Sequence, residues 1–402
     1  MNNFPPALVL DLSATGLAVA RILSKHGVKV YGCDIHAFAI GRFSKYVKRP
    51  FFGYKVELNE LFLDQLIKFS QNFNEKPVLF PSSDIFLEFV SANYEVLKKY
   101  YHMQPSLEPE ICKKFLNKME FYKLCETMSV NYPKTIILKG DENIDEIVNK
   151  LRFPMILKPH LIHRWKDYLK GKKVVYIKNI EDLKFVFKVE KNLLNASVLQ
   201  EVIPGPETNI YIFKGYFNKN SELICYFVGR KIRQFPPYFG SFSLAESREN
   251  EEIKKLSEDF LRGIKFKGLC GTEFKYDPRD NDYKILEINI RPQLWEALTA
   301  LAKREVVWFA YCDLAGLRIP PLPEQVNGVK LVYLLRDLYS GAVLLKNREH
   351  NIFQWLKSYL KVRGEALFEW GDWELLWGIP FYYFYQFYLF KIKSYKKSKR
   401  SE

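Results

Sequence analysis

The stretch YKILEINIRPQLW, residues 283–295, is rich in β-formers and alternates between apolar and polar side chains over its second half. Its polar positions place an acid, an amide and a guanidinium in a row: Glu287, Asn289 and Arg291. The positions between and before them hold Leu286, Ile288 and Ile290, which we expect to face the core. A strand with one apolar face and one face of reactive groups predicts a functional site on a sheet.

The segment GTEFKYD (271–277) predicts a partner strand, because residues 277–282 are rich in turn-forming Asp, Pro and Asn. In an antiparallel pair, directly opposed residues point to the same face. The register that sets Glu273 opposite Glu287 keeps both acids out of the core, whereas a slip of one residue would bury Glu273 against Leu286. One face is then expected to carry Glu273, Lys275, Glu287, Asn289 and Arg291.

Two directly opposed carboxylates repel each other, and a bound cation removes that repulsion. Carboxylate and amide oxygens suit Mg²⁺, which typically takes one or two carboxylates together with phosphate oxygens and waters. The alternative is a solvated face on which Lys275 and Arg291 pair with the acids. The polar row ends at Pro292, where the strand gives way to a predicted helix, and this exit favours a site over a plain surface.

The chain has 402 residues, enough for about two or three domains, and its 48% apolar and 27% charged residues are typical of globular proteins. The formal net charge is +15, and much of the excess lies in KIKSYKKSKR (391–400). The remaining excess is scattered, which favours ordinary solvation over a nucleic-acid-binding stripe. We therefore expect no nucleic-acid partner.

The six cysteines are far apart and form no C-x-x-C pair. We therefore expect neither a zinc site nor a disulfide framework. The pattern favours a reducing compartment. The N-terminus lacks the basic start and long apolar run of a signal peptide. No stretch reaches the roughly 20 apolar residues of a membrane-spanning helix. These features predict a cytoplasmic protein.

The first hundred residues open with a strand–helix–strand pattern: ALVLDL (7–12), GLAVARILSKHG (16–27) and VKVYGCD (28–34). This order predicts a parallel sheet with covering helices. Only Gly16 is present where the dinucleotide fingerprint G-x-G-x-x-G needs three glycines, so a dinucleotide site is not expected. Asp34 is then predicted to be a loop acid.

The motif LEINIRP (286–292) resembles the E-x-N-x-R signature of the ATP-grasp superfamily, specifically of its carboxylate–amine ligases. GTEFKYD (271–277) resembles the metal-binding strand that precedes this signature. Further motifs occur in the family's order. NKMEFYKLCETMSVNYPKT (117–135) is similar to its Lys-led helix and strand entry, FPMILKP (153–159) to its second-lysine strand, and LQEVIPGPE (199–207) to its adenine hinge.

The resemblance implies an α/β fold in which a parallel pre-grasp domain precedes a two-lobed α+β ATP-grasp domain. We expect the pre-grasp domain at residues 1–105 and the ATP-grasp domain at 106–320, with lobes of about 106–195 and 196–320. Residues 321–402 are then a C-terminal extension rich in aromatic and basic residues.

The resemblance also implies how the base and sugar of ATP are held. Gln200 and Glu201 would face the adenine amino group, and the backbone of Val202 and Ile203 would read the edge of the ring. Glu207 would accept hydrogen bonds from the ribose hydroxyls.

For the phosphates, the resemblance implies that Lys118 and Lys158 hold them from two sides. Arg291 would stabilise charge on the transferring phosphoryl group, with Lys158 and Arg291 as the catalytic residues. The implied Mg²⁺ ligands are Glu273, Glu287 and Asn289. Phosphoryl transfer requires positioning and cations around the equatorial oxygens, which these residue types supply.

The strand VGRKIRQFPPYFGSF (228–242) carries three basic residues beside the hinge. We expect either Arg230 or Arg233 to bind the substrate carboxylate together with Lys231 or Arg291, because a regular strand sends Arg230 and Arg233 to opposite sides. The alternative is a surface strand with alternating basic residues.

Residues 160–177 depart from the family, because HLIHRWKDYLKGKKVVYI holds a single glycine where a Gly-rich loop covers the phosphates. Either Arg164 or Lys172 clamps the phosphates instead, or the loop closes incompletely. His160 and His163 have an H-x-x-H spacing without a third metal ligand in sight, so we expect ordinary loop histidines.

The implied activity is an ATP- and Mg²⁺-dependent ligation. ATP phosphorylates a carboxylate, an amine attacks the acyl phosphate, and an amide or peptide-like bond forms as ADP and phosphate leave. The acyl phosphate must be shielded from water, so a closing lid is expected. The alternatives are a carbamoyl-phosphate-synthase-like enzyme, a kinase of the same fold, and a non-catalytic nucleotide-binding protein at the membrane surface. The sequence names neither the substrates nor the oligomeric state.

Residues 375–390, LLWGIPFYYFYQFYLF, are crowded with aromatic rings and run into the basic tail. The stretch is too short and too rich in Tyr to span a bilayer, but rings followed by Lys and Arg are typical of an interfacial anchor. The alternative is a helix packed on the protein with a frayed basic end. If the anchor forms, residues 375–400 contact the inner face of the membrane, and a cell-envelope or lipid-linked saccharide substrate is favoured.

Overall fold

The computed structural model describes residues 4–140, 142–159, 174–189, 194–195 and 197–398. Within them the strands form three sheets. The residues considered for the phosphate loop lie outside the described part of the chain: His160, His163, Arg164 and Lys172.

The N-terminal sheet is parallel and has the order β2-β1-β3, with β1 at Ala7–Leu10, β2 at Val30–Cys33 and β3 at Val78–Pro81. Strands β1 and β3 are buried along their whole length, as expected for a parallel sheet covered by helices. The helices of this region are α1 (Ala14–Lys25), α2 (Glu60–Ser70), α3 (Asp84–Ala92), α4 (Tyr94–Leu97) and a 3-10 helix at Ile40–Phe43.

The loop after β1 is held by close packing and by a buried acid. A Cβ on Gly16 would lie 1.8 Å from the carbonyl oxygen of Asp11, so only glycine fits. The loop-acid prediction for Asp34 is wrong, because its buried carboxylate accepts backbone N–H groups of Leu12 and His36 at 2.7 Å each. Burial raises the pKa of Asp34 to about 7, with the charge of Asp11 as a smaller cause.

The second sheet is antiparallel, with the order β4-β7-β5-β6. Its strands are β4 (Thr135–Ile137), β5 (Met155–Pro159), β6 (Val175–Ile177) and β7 (Ser197–Glu201). A 3-10 helix at Pro105–Leu107 and the helices α5 (Pro109–Leu116) and α6 (Lys118–Thr127) precede the sheet, and α7 (Ile144–Lys150) and α8 (Ile180–Val189) accompany it. Apolar side chains of this sheet and these two helices form a small core of their own.

The third sheet has seven strands in the order β12-β11-β8-β9-β10-β13-β14. They are β8 (Ile210–Phe217), β9 (Leu223–Phe235), β10 (Ser241–Ser247), β11 (Gly268–Asp277), β12 (Asp282–Asn289), β13 (Lys330–Val332) and β14 (Val362–Glu365). A 3-10 helix lies at Glu207–Asn209, and the helices are α9 (Glu251–Gly263), α10 (Glu296–Leu301), α11 (Val306–Leu314), α12 (Leu334–Lys346), α13 (Ile352–Ser358) and α14 (Glu374–Ser398).

The C-terminal region is joined to this sheet. Strand β13 pairs with β10, and β14 pairs with β13, so residues after 320 continue the sheet that carries the predicted hairpin. Helix α14 packs Leu375, Ile379 and Tyr382 into a cluster with the start of α1. Within the part of the chain that the structure describes, no helix combines the length and apolar character needed to cross a bilayer.

Side-chain caps set the start of several helices. Their oxygens accept a backbone N–H of the first turn, which stabilises the helix end. The capping residues are Ser13, Asn59, Asn117, Asn143, Asn250 and Asn351. The cap at Asn117 places Lys118 at the first position of α6.

The predicted register of the hairpin is confirmed, because Glu273 pairs directly with Glu287. The ladder then shifts between Glu273 and Phe274, and Leu286 is the extra residue on β12. This bulge moves Ile285 into the core, where it is fully buried, and leaves Leu286 half-buried at the cleft described below. The core prediction therefore holds for Ile288 and for Ile290 and is wrong for Leu286.

Replacement of Ile288 by Ala should lower the free energy of unfolding by about 2–5 kcal/mol, because the side chain is 5% exposed and its loss leaves a cavity. Leu286→Ala is the matched control and should cost less, since Leu286 is half-buried at the bulge. Urea denaturation measures both. An equal or larger loss for Leu286→Ala would contradict the assignment of the bulge.

Candidate active site

A cleft of about 610 Å³ is lined by residues of the second and third sheets and by the segments that follow β1 and β3. The predicted site residues that line it come from separate motifs of the chain: Lys118, Lys158, Gln200, Glu201, Val202, Ile203, Lys231, Glu273, Glu287, Asn289 and Arg291. Three predicted site residues are not part of its lining: Glu207, Arg230 and Arg233.

The two lysines implied for phosphate binding both reach this cleft. Lys118 extends from the start of α6, and its Nζ lies 3.9 Å from a carboxylate oxygen of Glu287. Lys158 extends from β5 and donates from Nζ to Oε1 of Gln200 at 2.6 Å, while Gln200 donates to the hydroxyl of Thr135 at 2.7 Å. Burial, with the charge of Lys118 as a smaller cause, lowers the pKa of Lys158 to about 7. A phosphate between these lysines would restore the charge of Lys158.

In the hinge after β7, the backbone faces the cleft and the side chain of Glu201 does not. The Glu201 carboxylate faces away, because it lies 3.0 Å from the Arg279 guanidinium and accepts the Arg152 N–H at 2.9 Å. Its predicted contact with the adenine amino group is therefore limited to its backbone. Lys275 donates to the carbonyl oxygen of Ile203 at 2.8 Å, and burial lowers the pKa of Lys275 to about 8. The hinge is thus held in place by Arg279 and Arg152 from outside the cleft and by Lys275, which lines it.

Glu207 does not fit its predicted role as a ribose acceptor in this conformation. Its carboxylate accepts the backbone N–H groups of Gln234 and Tyr238 at 2.9 Å each and the side-chain amide of Gln234 at 3.2 Å. Because both oxygens are engaged, Glu207 fixes the turn between β9 and β10. Gln234 and Tyr238, rather than Glu207, then line the cleft.

The acids of the hairpin converge with an amide. Asn289 donates its side-chain N–H to Glu287 at 3.3 Å, which leaves the amide oxygen of Asn289 as a further acceptor. Glu273 accepts from Nζ of Lys231 at 2.7 Å, so Lys231 compensates the charge of Glu273. Two carboxylates and an amide oxygen on one face form a donor set that fits Mg²⁺.

Arg291 connects the hairpin to the edge of the parallel sheet. Its Nε donates to the carboxylate of Asp84 at 2.6 Å, and Asp84 is the first residue of α3 after strand β3. Asp11, at the end of β1, lines the same part of the cleft and has a left-handed backbone with φ 85°. Burial raises the pKa of Asp11, and the nearby charge of Arg291 acts in the opposite direction.

The prediction that Arg230 or Arg233 binds a substrate carboxylate does not fit the structure. Arg233 is 1% exposed, and its guanidinium bonds the Asp337 carboxylate at 3.0 and 2.7 Å. Arg230 pairs with Glu246 at 2.5 Å outside the cleft. The ladder between β9 and β10 shifts around Arg233, which turns this side chain away from the cleft that Lys231 faces.

Some lining residues were not among the predicted site residues. Asp11, Ser13, Ser83 and Asp84 follow β1 and β3, and their position could have been inferred because the carboxyl ends of parallel strands meet at one edge. Another part of the lining comes from the predicted C-terminal extension, and no local pattern marks it: Arg336 and Tyr382.

Comparison with known proteins finds relatives in sequence and in structure. The chain is 26% identical over 227 residues to D-aspartate ligase of Enterococcus faecium (strain Aus0004), a match that covers 54% of each protein. This chain thus spans about half the length of that relative. No protein-family model matches the chain.

In structure, the chain is similar to the ADP complex of N5-carboxyaminoimidazole ribonucleotide synthetase, with a TM-score of 0.64 and 15% identity over 87% of each chain. It is also similar to the biotin carboxylase domain of Hydrogenobacter thermophilus 2-oxoglutarate carboxylase in complex with MgADP, ADP and bicarbonate. That match has a TM-score of 0.60 and 13% identity and covers 80% of this chain and 73% of the other. At these identities the likeness shows a common fold.

Replacement of Arg233 by Met should lower the free energy of unfolding by about 3–5 kcal/mol, because it leaves the buried charge of Asp337 without its partner. Arg230→Met is the control and should cost about 1 kcal/mol or less, since its ion pair is partly exposed. Both values follow from urea denaturation. A stable Arg233→Met variant with weakened substrate binding would instead place Arg233 in the site.

Proposed function

We propose that this chain, which has the fold of the ATP-grasp superfamily, is an ATP- and Mg²⁺-dependent carboxylate–amine ligase. The observation that carries the proposal is the meeting in one cleft of two lysines, two opposed acids with an amide, and an arginine, all from separate motifs. No single motif would assign an activity. Their convergence provides every group that phosphoryl transfer to a carboxylate requires.

In the proposed reaction, Lys118 and Lys158 bind the phosphates of ATP from α6 and β5, and the hinge backbone around Ile203 holds the base. The residues that would hold Mg²⁺ are Glu273, Glu287 and Asn289, and the metal would neutralise charge on the phosphates. Lys231 bonds one carboxylate oxygen of Glu273, so it would compensate the charge of this acid or bind an anion in the cleft.

Arg291 would stabilise the charge that develops on the transferring phosphoryl group. The 2.6 Å bond to Asp84 fixes its orientation, so Asp84 is a positioning residue. The carboxylate substrate enters beside Arg291 and becomes an acyl phosphate. The amine then attacks its carbonyl carbon, the C–N bond forms, and phosphate leaves while the amine loses a proton. Both substrates are small molecules in this proposal, as the resemblance to D-aspartate ligase suggests.

The test of the proposed function is ADP release with pairs of candidate carboxylates and amines. Glu287→Gln should reduce turnover by roughly two orders of magnitude or more, because several kcal/mol of charge stabilisation depend on the metal. Its free energy of unfolding should change little, since the side chain faces the cleft. Glu251→Gln, which alters an exposed acid at the start of α9, is the control and should keep full turnover.

Other outcomes of this assay exclude the proposal. ADP release that requires no amine would indicate a kinase-type or carbamoyl-phosphate-type reaction. Binding of MgATP without turnover for any pair would indicate a non-catalytic nucleotide-binding protein. Full turnover in Glu287→Gln would contradict the proposed metal site.

We further propose that the ligase contacts the inner face of the membrane through the outer face of α14. One side of this helix packs on the protein, and the opposite side exposes large rings at helical spacing. These rings are 53–78% exposed: Trp377, Phe381, Phe384 and Tyr388. The Lys-rich sequence that follows complements an anionic bilayer. The packed face supports the interpretation as a helix on the protein, and the exposed rings support the proposed anchor.

Sedimentation with phospholipid vesicles tests this contact. The wild-type protein should co-sediment with vesicles containing an anionic lipid and less with neutral ones, because rings and charge act together. A Trp377→Ser, Phe384→Ser double variant should lose most of this binding. The control, Phe51→Ser with Phe185→Ser, removes two rings that are 59% and 64% exposed elsewhere and should bind normally. Equal binding by both double variants would contradict the proposal.

A further inference from the structure

The cationic side chains of the cleft differ in whether a protein oxygen atom already accepts a hydrogen bond from them or forms an ion pair with them. Lys158 donates to Gln200, Lys275 to a carbonyl, and Lys231 to Glu273, while Lys118 and Arg291 face Glu287 and Asp84. Arg336 also lines the cleft. Among the residues that the structure describes, it has no carboxylate within ion-pair distance.

The acid next to Arg336 in sequence is not available to it. The Asp337 carboxylate is completely buried and accepts from Arg233, from Ser243 at 2.7 Å and from Tyr359 at 2.6 Å. Asp337 therefore belongs to the far side of α12. Arg336 lies on the side of the helix that faces the cleft, where the structure holds no counter-charge from its own element.

Aromatic rings hold the guanidinium of Arg336 in place. Its central carbon lies 4.0 Å from the ring centroid of Tyr333 and 5.6 Å from that of Phe235. Tyr333 is itself buried and tied to β10 through its backbone N–H, which bonds Ser243 at 2.7 Å. A guanidinium stacked in this way is pre-oriented, so its N–H fork loses little freedom when it binds an oxyanion.

Tyr382 of α14 provides a second donor beside this arginine. It lines the same cleft and packs in the cluster that contains Tyr333 and Ala14. Burial raises the pKa of Tyr382, with Tyr333 as the next cause, so its hydroxyl keeps its proton. The hydroxyl donates to that of Tyr333, and it would turn from Tyr333 to donate to a bound oxyanion.

The location relative to the reacting centre follows from packing. Tyr382 and Tyr333 lie in one cluster with Leu294, which lines the cleft three residues after Arg291, and Arg336 stacks on Tyr333. Arg336 and Tyr382 are therefore on the Arg291 side of the cleft, where the substrates of the proposed ligase meet. The hinge that would hold the base is formed by other elements, β7 and the turn that follows it.

We propose that Arg336 and Tyr382 form a subsite for a non-reacting oxyanion, a carboxylate or a phosphate, on one of the two ligase substrates. That the anion belongs to a ligase substrate rests on the proposed function, whereas the anion site itself is argued from the geometry. It assigns to the C-terminal region the role that the sequence pattern had assigned to Arg230 and Arg233. Arg336 supplies the planar fork, and Tyr382 supplies a neutral donor.

The binding experiment uses two probes, D-aspartate and inorganic phosphate, measured by calorimetry on the full chain. The wild-type protein should bind at least one of them, and which one binds identifies the anion. Arg336→Met should weaken that binding roughly 10- to 100-fold, because it removes charge-assisted hydrogen bonds. Arg336→Lys should be intermediate, because Lys keeps the charge and lacks the fork. Arg363→Met, at an exposed arginine of β14, is the matched control and should bind normally.

The kinetic experiment separates this subsite from the nucleotide site. In Arg336→Met the KM of one substrate should rise while the KM of ATP stays unchanged. Tyr382→Phe should raise the KM of the same substrate by a smaller factor. Unfolding curves show whether each variant is folded. If Arg336→Met is unfolded, the same kinetic comparison is made with Arg336→Lys.

The outcomes are distinct. Unchanged probe binding in both Arg336 variants, or no binding of either probe by the wild-type protein, overturns the subsite. A rise in the KM of ATP alone assigns Arg336 to the nucleotide and also overturns it. Probe binding that depends on Arg336 without any ligase turnover supports the subsite and removes the proposed function.

Discussion

Two carboxylates held directly opposite each other on one antiparallel ladder are the constraint on which the rest of the cleft depends. Glu273 and Glu287 face each other because the register that keeps them out of the core is the one that buries Ile288 and Ile290. Hydrophobic burial therefore maintains an electrostatic repulsion that the hairpin alone would not favour. Two cations compensate the pair directly, because Lys231 bonds Glu273 and Lys118 lies beside Glu287.

The lysines that compensate the two acids are held by individual contacts. Lys231 bonds Glu273, Lys118 faces Glu287 at 3.9 Å, and Lys158 is half-buried with a lowered pKa. A phosphate-bound cation would take over the acids and release the lysines to the phosphates, so charge remains balanced in both states. Under the proposed function, the cleft would accept MgATP without leaving buried charges uncompensated. The same reasoning singles out Arg336, whose charge has aromatic rings instead of an acid as neighbours.

Helix α14 links the proposed substrate subsite to the proposed membrane contact. Tyr382 is on its inner face and lines the cleft, whereas Trp377 and Phe384 are exposed on its outer face. An enzyme arranged in this way would place its acceptor pocket near the membrane surface, where a lipid-linked substrate would be found.

The sequence by itself determined the local features of this protein. The period-two alternation and the turn residues were sufficient to predict the Glu273–Glu287 register, and the order of motifs was sufficient to predict the fold and part of the residues that line the cleft. Tertiary structure decided the rest, because it depends on partners distant in the chain. Arg233 is bound by Asp337, more than a hundred residues later, and a bulge that pairing creates moves Leu286 out of the core. Arg336 and Tyr382 reach the cleft only because β13 and β14 extend the sheet, and no local periodicity encodes which strands will be neighbours.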